Sequence, residues 1–497
     1  MLSPPHKYIL FYFLFSLIVK TTPFKIRSFD NKGCEIVHYP PEILAPIPHL
    51  KECLSTINGL AVYPGDPDYY DNIKVFNCRN SYFPIVIIYV TKISDIQRSI
   101  HCANTLNITV VPRSGGHSFE EYGIGGKNGV MVIDVKEFNQ ITINVETNTA
   151  IIGPGNRLGT IYHELYQAGF LIPAGLFPQV GIGGHATGGG YGAVTRKYGM
   201  SCDNIIGIEM VTANGTFISP INSTHHSDLF FVLRGAGNAG YGIVTSLTFR
   251  IHPIPPIVTS IRISYTSEQI ELGFLTFIQT FKNLNENLTP FITLSPNTLL
   301  FIATYLGPEE EARSAVKELI ELSNPAYVKF EEMSWWSSVI LFPYVPRQNS
   351  KSKSYIIPKQ GLSLEGFRVL LNFISDIECN FSAIFDVCVG GVLNKISVNS
   401  SAFIHRDFFA IMQLGWKWSN NSKKTQAKCL EKQLRFSQEF QAKYTTYFSY
   451  QNYIDRDLDD WGTRYYGHHL PRLVETKKKY DPNNLFNWAQ SIPTKLP

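Results

Sequence analysis

Three dense glycine clusters lie within residues 112–242 of this 497-residue chain, and they constrain its fold more than any other feature. The middle cluster places eight glycines between Gly175 and Gly192. Glycine inside regular structure costs roughly 0.5–1 kcal/mol per residue relative to alanine, so this density needs a compensating reason. Backbone pressed against a flat ligand would supply that reason. We therefore expect residues 112–242 to form loops that hold such a ligand.

The first cluster, Arg113-Ser114-Gly115-Gly116-His117-Ser118, directly follows a β-like run at Ile108–Val111. Consecutive small residues allow backbone N–H groups to converge on an anion, and Arg113 adds positive charge. This pattern predicts a loop that binds a pyrophosphate. A tight turn without any ligand is the simpler alternative, and the preceding strand makes it less favoured.

The third cluster, Gly235-Ala236-Gly237-Asn238-Ala239-Gly240, formally matches the GxGxxG fingerprint of dinucleotide-binding proteins. That fingerprint requires a following helix and an acidic residue about 20 positions further on. Here the run from Tyr241 to Phe249 is strand-like, and no Asp or Glu occurs between Tyr241 and Ser267. The sequence therefore excludes a Rossmann dinucleotide site.

The remaining patterns predict an α+β protein with more than one domain. Residues 81–112 read as strand, helix and strand, with Ser94 as the expected N-cap of the helix. Prolines 253, 255 and 256 mark a boundary. Beyond it, residues 257–440 mix strand-like and helix-like runs, and the tail at 445–497 ends in a helical pattern at Leu470–Tyr480.

The N-terminus predicts export from the cell. The apolar run Tyr8–Val19 has twelve residues, fewer than the roughly 20 that a spanning helix needs, and matches a secretory signal within residues 1–22. We expect a secreted glycoprotein with no stable membrane association after signal cleavage. A net charge of +4 without basic runs argues against nucleic-acid partners. Potential N-glycosylation sequons occur at Asn107, Asn214, Asn222, Asn287, Asn380, Asn399 and Asn420.

Eight cysteines are scattered along the chain without a CxxC motif, so no zinc site is predicted. An oxidising compartment favours disulfides among them. Our leading pair is Cys53 with Cys102, and Cys34 with Cys78 is a second candidate. Buried free thiols are the alternative.

Several motifs, taken in order, resemble the berberine bridge enzyme-like oxidases of the vanillyl-alcohol oxidase superfamily, and most of all their glucooligosaccharide oxidase-like members. The resemblance covers nearly all of the mature chain. The motifs that carry it are the first two glycine loops, Arg196-Lys197-Tyr198-Gly199, Asp203-Asn204, Tyr450-Gln451-Asn452-Tyr453-Ile454-Asp455 and Asp481-Pro482-Asn483-Asn484-Leu485-Phe486.

This resemblance implies an α+β fold with a two-lobed FAD-binding domain of vanillyl-alcohol oxidase type at residues 81–255. It implies an α+β substrate domain with an antiparallel sheet at 256–444, and a C-terminal berberine bridge enzyme-like segment at 445–497 that returns to the FAD domain. The implied cofactor is FAD, bonded through its 8α-methyl carbon to an imidazole nitrogen of His117. The implied cofactor-binding residues are Arg113, Ser114, Gly115, Gly116, His117, Ser118, Val180, Gly181, Gly184, His185, Gly188, Gly190, Gly192, Asn452 and Tyr453.

Three positions refine the cofactor prediction. Many family members form a second flavin link from a Cys just before Pro-x-Val-Gly, where this chain has Phe177. We therefore expect a single covalent link and doubt an open oligosaccharide groove. Val180 matches a position that controls oxygen access. A small residue there resembles oxidases, which pass electrons to O₂ and release H₂O₂. His185 is expected beside the N1/C2=O edge of the flavin, where it would offset negative charge on the reduced ring.

The resemblance also implies hydride transfer from a substrate C–H to the flavin, assisted by a base. Tyr450 matches the tyrosine that takes the substrate hydroxyl proton, Asp386 matches a carboxylate that supports it, and Gln413 matches a polar residue on the substrate side. A small-molecule alcohol or sugar is the expected substrate. Two alternatives remain open: oxidation of an amine or a secondary metabolite, and a non-catalytic secreted glycoprotein whose flavin site has decayed.

Overall fold

A computed structural model of the chain describes residue 34 and residues 47–281, 284–386, 390–418 and 422–496. The predicted signal segment at 1–22 and the sequon at Asn420 lie outside these residues. The described strands are β1 Leu60–Val62, β2 Val86–Tyr89, β3 Val110–Arg113, β4 Met131–Asp134, β5 Ile141–Asn144, β6 Thr149–Ile152, β7 Phe170–Leu171, β8 Ile205–Val211, β9 Phe217–Ile221, β10 Ile243–Arg250, β11 His252–Pro253, β12 Val258–Tyr265, β13 Leu288–Ser295, β14 Thr298–Tyr305, β15 Tyr327–Met333, β16 Asn349–Ile357, β17 Ser382–Asp386 and β18 Ala410–Trp418.

The α-helices alternate with these strands and give the α+β class that the sequence predicts. They are α1 Leu50–Cys53, α2 Tyr69–Asn72, α3 Ile93–Thr105, α4 Leu158–Gln167, α5 Ile182–Thr187, α6 Thr195–Tyr198, α7 Ser227–Val232, α8 Ile270–Thr280, α9 Glu309–Ala315, α10 Lys317–Ser323, α11 Trp335–Val339, α12 Leu364–Ile374, α13 Lys423–Tyr444, α14 Trp461–Tyr466 and α15 Leu470–Tyr480. Within the described ranges, no helix combines the length and the apolar character needed to cross a membrane.

Two small sheets form the glycine-rich half of the molecule. The first has the order β1-β2-β4-β3, in which β2, β4 and β3 run parallel, and the second has the antiparallel order β5-β6-β10-β8-β9. All four residues of β2 are apolar and buried, as expected for a parallel strand covered on both faces. Helix α3 begins at Ile93 rather than after Ser94, because the Asp95 carboxylate accepts the N–H groups of Thr91 and Lys92 and fixes an earlier start.

The third glycine cluster forms a tight turn, as its failed fingerprint predicts. Residues Gly237–Ala239 make one turn of 3₁₀-helix, and the chain then enters β10, an interior strand between β6 and β8. The turn therefore leads into a strand and not into the helix that a Rossmann site requires.

The second half of the molecule is built on a seven-stranded antiparallel sheet of order β15-β12-β14-β13-β17-β18-β16. One face packs on α8, α12 and α13 through buried aromatic rings such as Phe274, Phe367 and Phe440. The edge strand β16 is nevertheless almost wholly buried, because the chain after α13 runs alongside it. Ile356 donates its N–H to the Phe448 carbonyl and accepts the N–H of Thr446. This pairing delivers the following residues, including Tyr450, to the junction of the two halves.

The tail also returns to the first sheet. Val110 donates its N–H to the Leu485 carbonyl at 2.9 Å, and Phe486 forms a parallel bridge to the same strand. Leu473 on α15 is buried in the core that contains α4, α7 and β10. Residues 445–496 therefore contact both halves of the molecule.

Both candidate disulfides are confirmed: Cys53 bonds to Cys102, and Cys34 bonds to Cys78. A third disulfide, Cys379–Cys429, ties the loop after α12 to α13 and was not predicted. Among the described cysteines Cys202 remains a free, buried thiol.

Candidate flavin site

The first two glycine loops touch each other through their backbones. A Cβ atom on Gly115 would lie 2.4 Å from the Gly181 nitrogen, and a Cβ on Gly181 would lie 2.4 Å from the Gly115 nitrogen. Arg157 joins the same two loops, because its Nη1 donates to the carbonyls of Gly115 and Gln179 at 2.6 Å each. Neither glycine can therefore carry a side chain without separating the loops.

This junction presents a run of unpaired backbone donors. Across the described ranges, the N–H groups of Gly115, Gly116, His117 and Ser118 meet no hydrogen-bond acceptor, nor do those of Gly183 and Gly184 at the start of α5. The Cα of Gly184 faces open space. Successive unpaired N–H groups form a concave anion site, so the backbone suits the pyrophosphate of the expected FAD.

The positive charge at this junction comes from Arg157, whereas the sequence pointed to Arg113. The Arg113 guanidinium is buried in an ion pair with Asp134, and it also donates to the Asn72 carbonyl and to the Tyr89 hydroxyl. Every arm is thus engaged in bracing the first sheet, so we no longer propose Arg113 as a pyrophosphate ligand. No motif surrounds Arg157, and sequence reasoning therefore missed it.

The two serines of the first loop are also committed to the protein. Ser114 Oγ donates to the Pro154 carbonyl at 2.6 Å. Ser118 Oγ accepts the N–H groups of Glu120 and Tyr122. The Ser114 hydroxyl proton is therefore used within the protein, whereas the Ser118 hydroxyl shapes the loop as an acceptor and can still donate its own proton.

His117 lies at the end of this loop with its ring stacked on Phe76, at a centroid distance of 4.6 Å. Burial, helped by the positive charge of Arg157, lowers the pKa of His117 to about 3. The imidazole is therefore neutral at pH 7 and keeps a nucleophilic lone pair, which is the state that covalent attachment to a flavin requires.

His185 occupies α5, directly after the open position at Gly184. Its Nε2 accepts the N–H of Gly175 at 2.9 Å, so the neutral ring carries its proton on Nδ1. Burial lowers the pKa of His185 to about 4. Its predicted contact with the N1/C2=O edge of the flavin stays a prediction.

Most of the other glycines in the second loop are required by protein neighbours, contrary to the flat-ligand interpretation. A Cβ on Gly188 would lie 2.0 Å from Asn452 Oδ1, one on Gly190 would lie 2.5 Å from Ser201 Oγ, and one on Gly192 would lie 1.8 Å from the Ala174 carbonyl. The loop is therefore dense in glycine chiefly because other segments of the chain pack against its backbone.

The C-terminal segment places Tyr450 against this loop. The phenol is buried, and its oxygen accepts hydrogen bonds from the Gly190 N–H and from Asn452 Nδ2, both at 2.9 Å. Asn452 Nδ2 also donates to the His185 carbonyl. Burial raises the pKa of Tyr450, and the two N–H donors oppose that rise because they stabilise a phenolate.

Asp386 lies beside this phenol but does not hydrogen-bond to it, which corrects the predicted arrangement. Its Oδ2 accepts the hydroxyls of Tyr191 at 2.7 Å and of Tyr453 at 2.8 Å. Burial raises the pKa of Asp386 to about 6. The negative charge of Asp386 raises the pKa of Tyr450, so it does not ease the loss of the phenolic proton.

Sequence reasoning missed Tyr191, although it lies between Gly190 and Gly192 in the second glycine loop. Tyr453 had been assigned to the cofactor, and its ring does stack on Phe119, two residues after His117. Its hydroxyl nevertheless points to Asp386. We name Tyr191, Asp386, Tyr450 and Tyr453 the tyrosine cluster.

Three further predicted positions border this cluster or the glycine loops. Gln413 on β18 pairs with Ile384 and therefore shares a sheet face with Asp386, and its Nε2 donates to Ser352 Oγ at 3.0 Å. Val180 is half-buried between the two glycine loops. Phe177 is 41% exposed and packs edge-to-face on Phe342.

Known proteins with similar sequences and structures identify this arrangement. Residues 84–219 match a family described as FAD binding domain, and residues 449–493 match one described as berberine and berberine like. FAD-linked oxidoreductase dpmaF of Metarhizium anisopliae is 30% identical over 88% of this chain and 90% of its own. Chitooligosaccharide oxidase of Gibberella zeae is 28% identical, with 94% and 99% of the two chains covered.

A solved structure, that of Physcomitrella patens BBE-like 1, superposes with a TM-score of 0.85. It is 34% identical and covers 90% of this chain and 100% of its own. The match extends over the glycine loops, the seven-stranded sheet and the returning tail. The chain therefore belongs to the berberine bridge enzyme-like family of FAD-linked oxidases.

Proposed function

We propose that this protein is a secreted oxidase that removes hydride from the hydroxyl-bearing carbon of an alcohol or a sugar. The observation that carries the proposal is the environment of Tyr450. Its oxygen accepts two N–H hydrogen bonds inside a buried cluster, beside a loop junction suited to FAD. An oxygen held by two donors is prepared to carry negative charge when it receives a third hydrogen bond, from a substrate hydroxyl.

FAD would be held by the unpaired N–H groups of the two glycine loops and bonded once, through the neutral His117 ring. Phe177 offers no sulfur for a second bond. When bound, FAD supplies the two-electron acceptor for the substrate hydride. We propose residues 81–255 and the tail at 445–497 as its domain, and residues 256–444 as the substrate domain.

The protein's own residues would orient the substrate and accept its proton. In its deprotonated form, stabilised by the N–H groups of Gly190 and Asn452, Tyr450 Oη would receive the proton of the substrate hydroxyl and become a phenol. That phenol must release its proton to solvent before the next turnover. Asp386 Oδ2 accepts hydrogen bonds from the Tyr191 and Tyr453 hydroxyls, which also contact each other. The remaining lone pairs of these phenol oxygens can accept hydrogen bonds from other substrate hydroxyls. Gln413, on the same face of the sheet, would contact the distal part of the substrate.

The names of relatives support the substrate class. The chitooligosaccharide oxidase of Gibberella zeae and the carbohydrate oxidase of Microdochium nivale carry sugar substrates in their names. The small Val180 supports O₂ as the electron acceptor, with H₂O₂ as product. Three disulfides among the described cysteines support the proposed export, for which the segment 1–22 would be the signal.

The test is anaerobic bleaching of the protein's yellow absorbance by a panel of sugars, alcohols and amines, followed by H₂O₂ release in air. We expect at least one sugar or alcohol to bleach the flavin and no amine to do so. Bleaching by amines alone would replace this proposal with the amine-oxidase alternative. A colourless protein purified from cells supplied with riboflavin would contradict both.

A further inference from the structure

A buried ion cluster lies just behind the candidate site. It consists of the anions Glu120, Asp455 and Asp457 and the cations Arg79, Lys351, Lys353 and Arg456. The side chains of Glu120, Lys351, Lys353 and Asp455 are each 3% exposed or less. No step of the proposed chemistry uses any of these groups.

Lys351 is the centre of this cluster. Its Nζ lies 2.7 Å from Glu120 Oε1, 2.5 Å from Asp455 Oδ1 and 3.1 Å from Asp457 Oδ2. Burial by itself would lower the pKa of Lys351, but the charges of Asp455 and Glu120 raise it above its ordinary value. Lys351 is therefore charged at every pH at which the protein would work.

Lys351 and its partners belong to three separate parts of the site. Glu120 follows His117 by three residues, on the loop that would hold the flavin. Asp455 follows Tyr453 by two residues, on the segment that carries the proposed base. Lys351 itself stands on the edge strand β16 of the substrate-side sheet.

A second contact ties the same parts together. Asn77 Nδ2 donates to the carbonyls of Phe119 at 2.6 Å and of Ser350 at 3.1 Å. On the other side of the loop, Arg456 pairs with Glu120 and donates to the Glu120 carbonyl. Asn77 therefore joins the flavin loop to the edge strand, and Arg456 joins the same loop to the segment that carries Tyr450 and Tyr453.

Stability alone is a weak explanation for this arrangement. Desolvating charges is so unfavourable that apolar residues of similar volume often stabilise a protein at least as well as a buried ion pair. Charge-assisted hydrogen bonds differ from apolar packing because they fix direction and distance. A cluster that joins three parts of one site therefore acts chiefly on their relative placement.

We propose that the buried ion cluster is a positioning device, in which Lys351 and Glu120 hold the His117 loop at a fixed distance from the segment of Tyr450 and Tyr453. This inference rests on the proposed function, since it concerns how the flavin loop and the proton acceptor are aligned. Neither Lys351 nor Glu120 touches the substrate or the flavin.

The test compares Glu120→Gln and Lys351→Met with the wild-type protein. Glu120→Gln is nearly isosteric and removes one charge, so it carries the test if Lys351→Met does not fold. Lys359→Met is the matched control, because Lys359 forms an ion pair with Asp407 in which both side chains are about two-thirds exposed. Lys351→Arg retains the charge and should recover part of whatever Lys351→Met loses.

Three quantities are measured: amide hydrogen exchange of residues 120–126 and 450–455, where backbone N–H groups are hydrogen-bonded, the fraction of flavin that stays with acid-precipitated protein, and the anaerobic rate of flavin reduction. In Glu120→Gln we expect exchange in both segments to rise at least about tenfold while α13 is unchanged. The acid-stable flavin fraction should fall by at least about half, and reduction should slow by about 100-fold, because small misplacements of reacting groups have effects of that size.

Wild-type exchange and wild-type flavin attachment in a folded Glu120→Gln variant would overturn the inference. A wild-type protein that holds no acid-stable flavin, or is bleached by no sugar or alcohol, would overturn the proposed function instead. The exchange comparison needs no flavin and still decides whether the cluster fixes the two segments.

Discussion

The two sides of the candidate site are built in opposite ways. The flavin-attachment side consists of backbone N–H groups and one imidazole, supplied by two short glycine loops in mutual contact. The tyrosine cluster consists of side chains brought together from α5's following loop, the end of β17 and the C-terminal segment. A loop that acts through its backbone can be recognised from local sequence, whereas a cluster of side chains exists only after three distant segments have packed.

The difference also predicts how each side responds to substitution. On the attachment side, one residue, His117, is proposed to bond the flavin, so its substitution should abolish covalent attachment completely. In the tyrosine cluster, neighbouring hydroxyls share their hydrogen bonds, so single changes should produce graded effects.

His117→Ala should abolish covalent flavin attachment, the largest effect expected, because His117 is the residue proposed to bond the 8α-methyl carbon, whereas His185 is expected at the N1/C2=O edge. The measurement is flavin fluorescence of the denatured protein on a gel. His163→Ala, on the exposed face of α4, is the control and should keep full attachment. Persistent fluorescence in His117→Ala would assign the link to another residue and remove the contrast between the two sides.

Tyr450→Phe should slow anaerobic flavin reduction by about 10²–10⁴-fold, the range typical of a lost general base, while the flavin stays attached. Stopped-flow absorbance measures the rate. Tyr355→Phe is the matched control, because the hydroxyl of this buried tyrosine bonds to Ser437 Oγ within the sheet core, away from the tyrosine cluster. Reduction at the wild-type rate in Tyr450→Phe would show that another group takes the proton.

Asp386→Asn should produce a smaller loss, about tenfold at pH 7.5, since an amide oxygen can still accept the two tyrosine hydroxyls. The stronger prediction concerns pH. Burial raises the pKa of Asp386 to about 6, so the wild-type carboxylate becomes protonated as pH decreases through that value. A neutral carboxyl accepts the Tyr191 and Tyr453 hydroxyls more weakly, and we expect this loss of substrate alignment to outweigh the lowered pKa of Tyr450, so the reduction rate should fall. Asp386→Asn has no such group and should lose that limb of the profile. If Asp386→Asn showed the same fall in rate at low pH, a group other than Asp386 would be responsible for it.

Gly190→Ala should give the smallest effect, a loss of about 1–3 kcal/mol in the free energy of unfolding. Its φ is +77°, and an added Cβ would lie 2.5 Å from Ser201 Oγ and 2.8 Å from the His185 ring. Gly129→Ala is the control, because its φ is +80° but its surroundings are open. Urea unfolding measures the free energy of unfolding of both variants. Both carry the backbone strain of a positive φ, so the additional loss in Gly190→Ala measures the steric clash. Equal losses in the two variants would mean that neighbouring side chains move and relieve the clash.

The fold was predictable where local pattern and burial agree. The helix over Leu470–Tyr480 has the bounds expected from its helical pattern. The rejection of the GxGxxG match also held, because the chain after Gly240 alternates β-formers. The pairing of Cys379 with Cys429 could not be predicted, since it depends on how α12 and α13 cross the sheet.

The site was predictable only in part, for the same reason. His117 could be recognised from its own loop. Arg113 was predicted to bind the pyrophosphate because a cation beside glycines suggests an anion site. In the structure its guanidinium forms an ion pair with the buried Asp134 on the neighbouring strand. Arg157 and Tyr191 carry no local mark, because their importance comes from what they touch.

From the sequence alone came the α+β class, the glycine loops, the candidate attachment residue and two of the disulfides. The class and the glycine loops follow from residue type and short-range spacing, which fix backbone conformation. The attachment residue followed from the family resemblance, and the two disulfides were candidate pairs among the scattered cysteines. Tertiary structure alone decided which cation faces the loops, which hydroxyls Asp386 accepts, and how Lys351 joins three segments. Hydrogen bonds and ion pairs act over about 3 Å between residues that are hundreds of positions apart, and only the packed chain brings them within that distance.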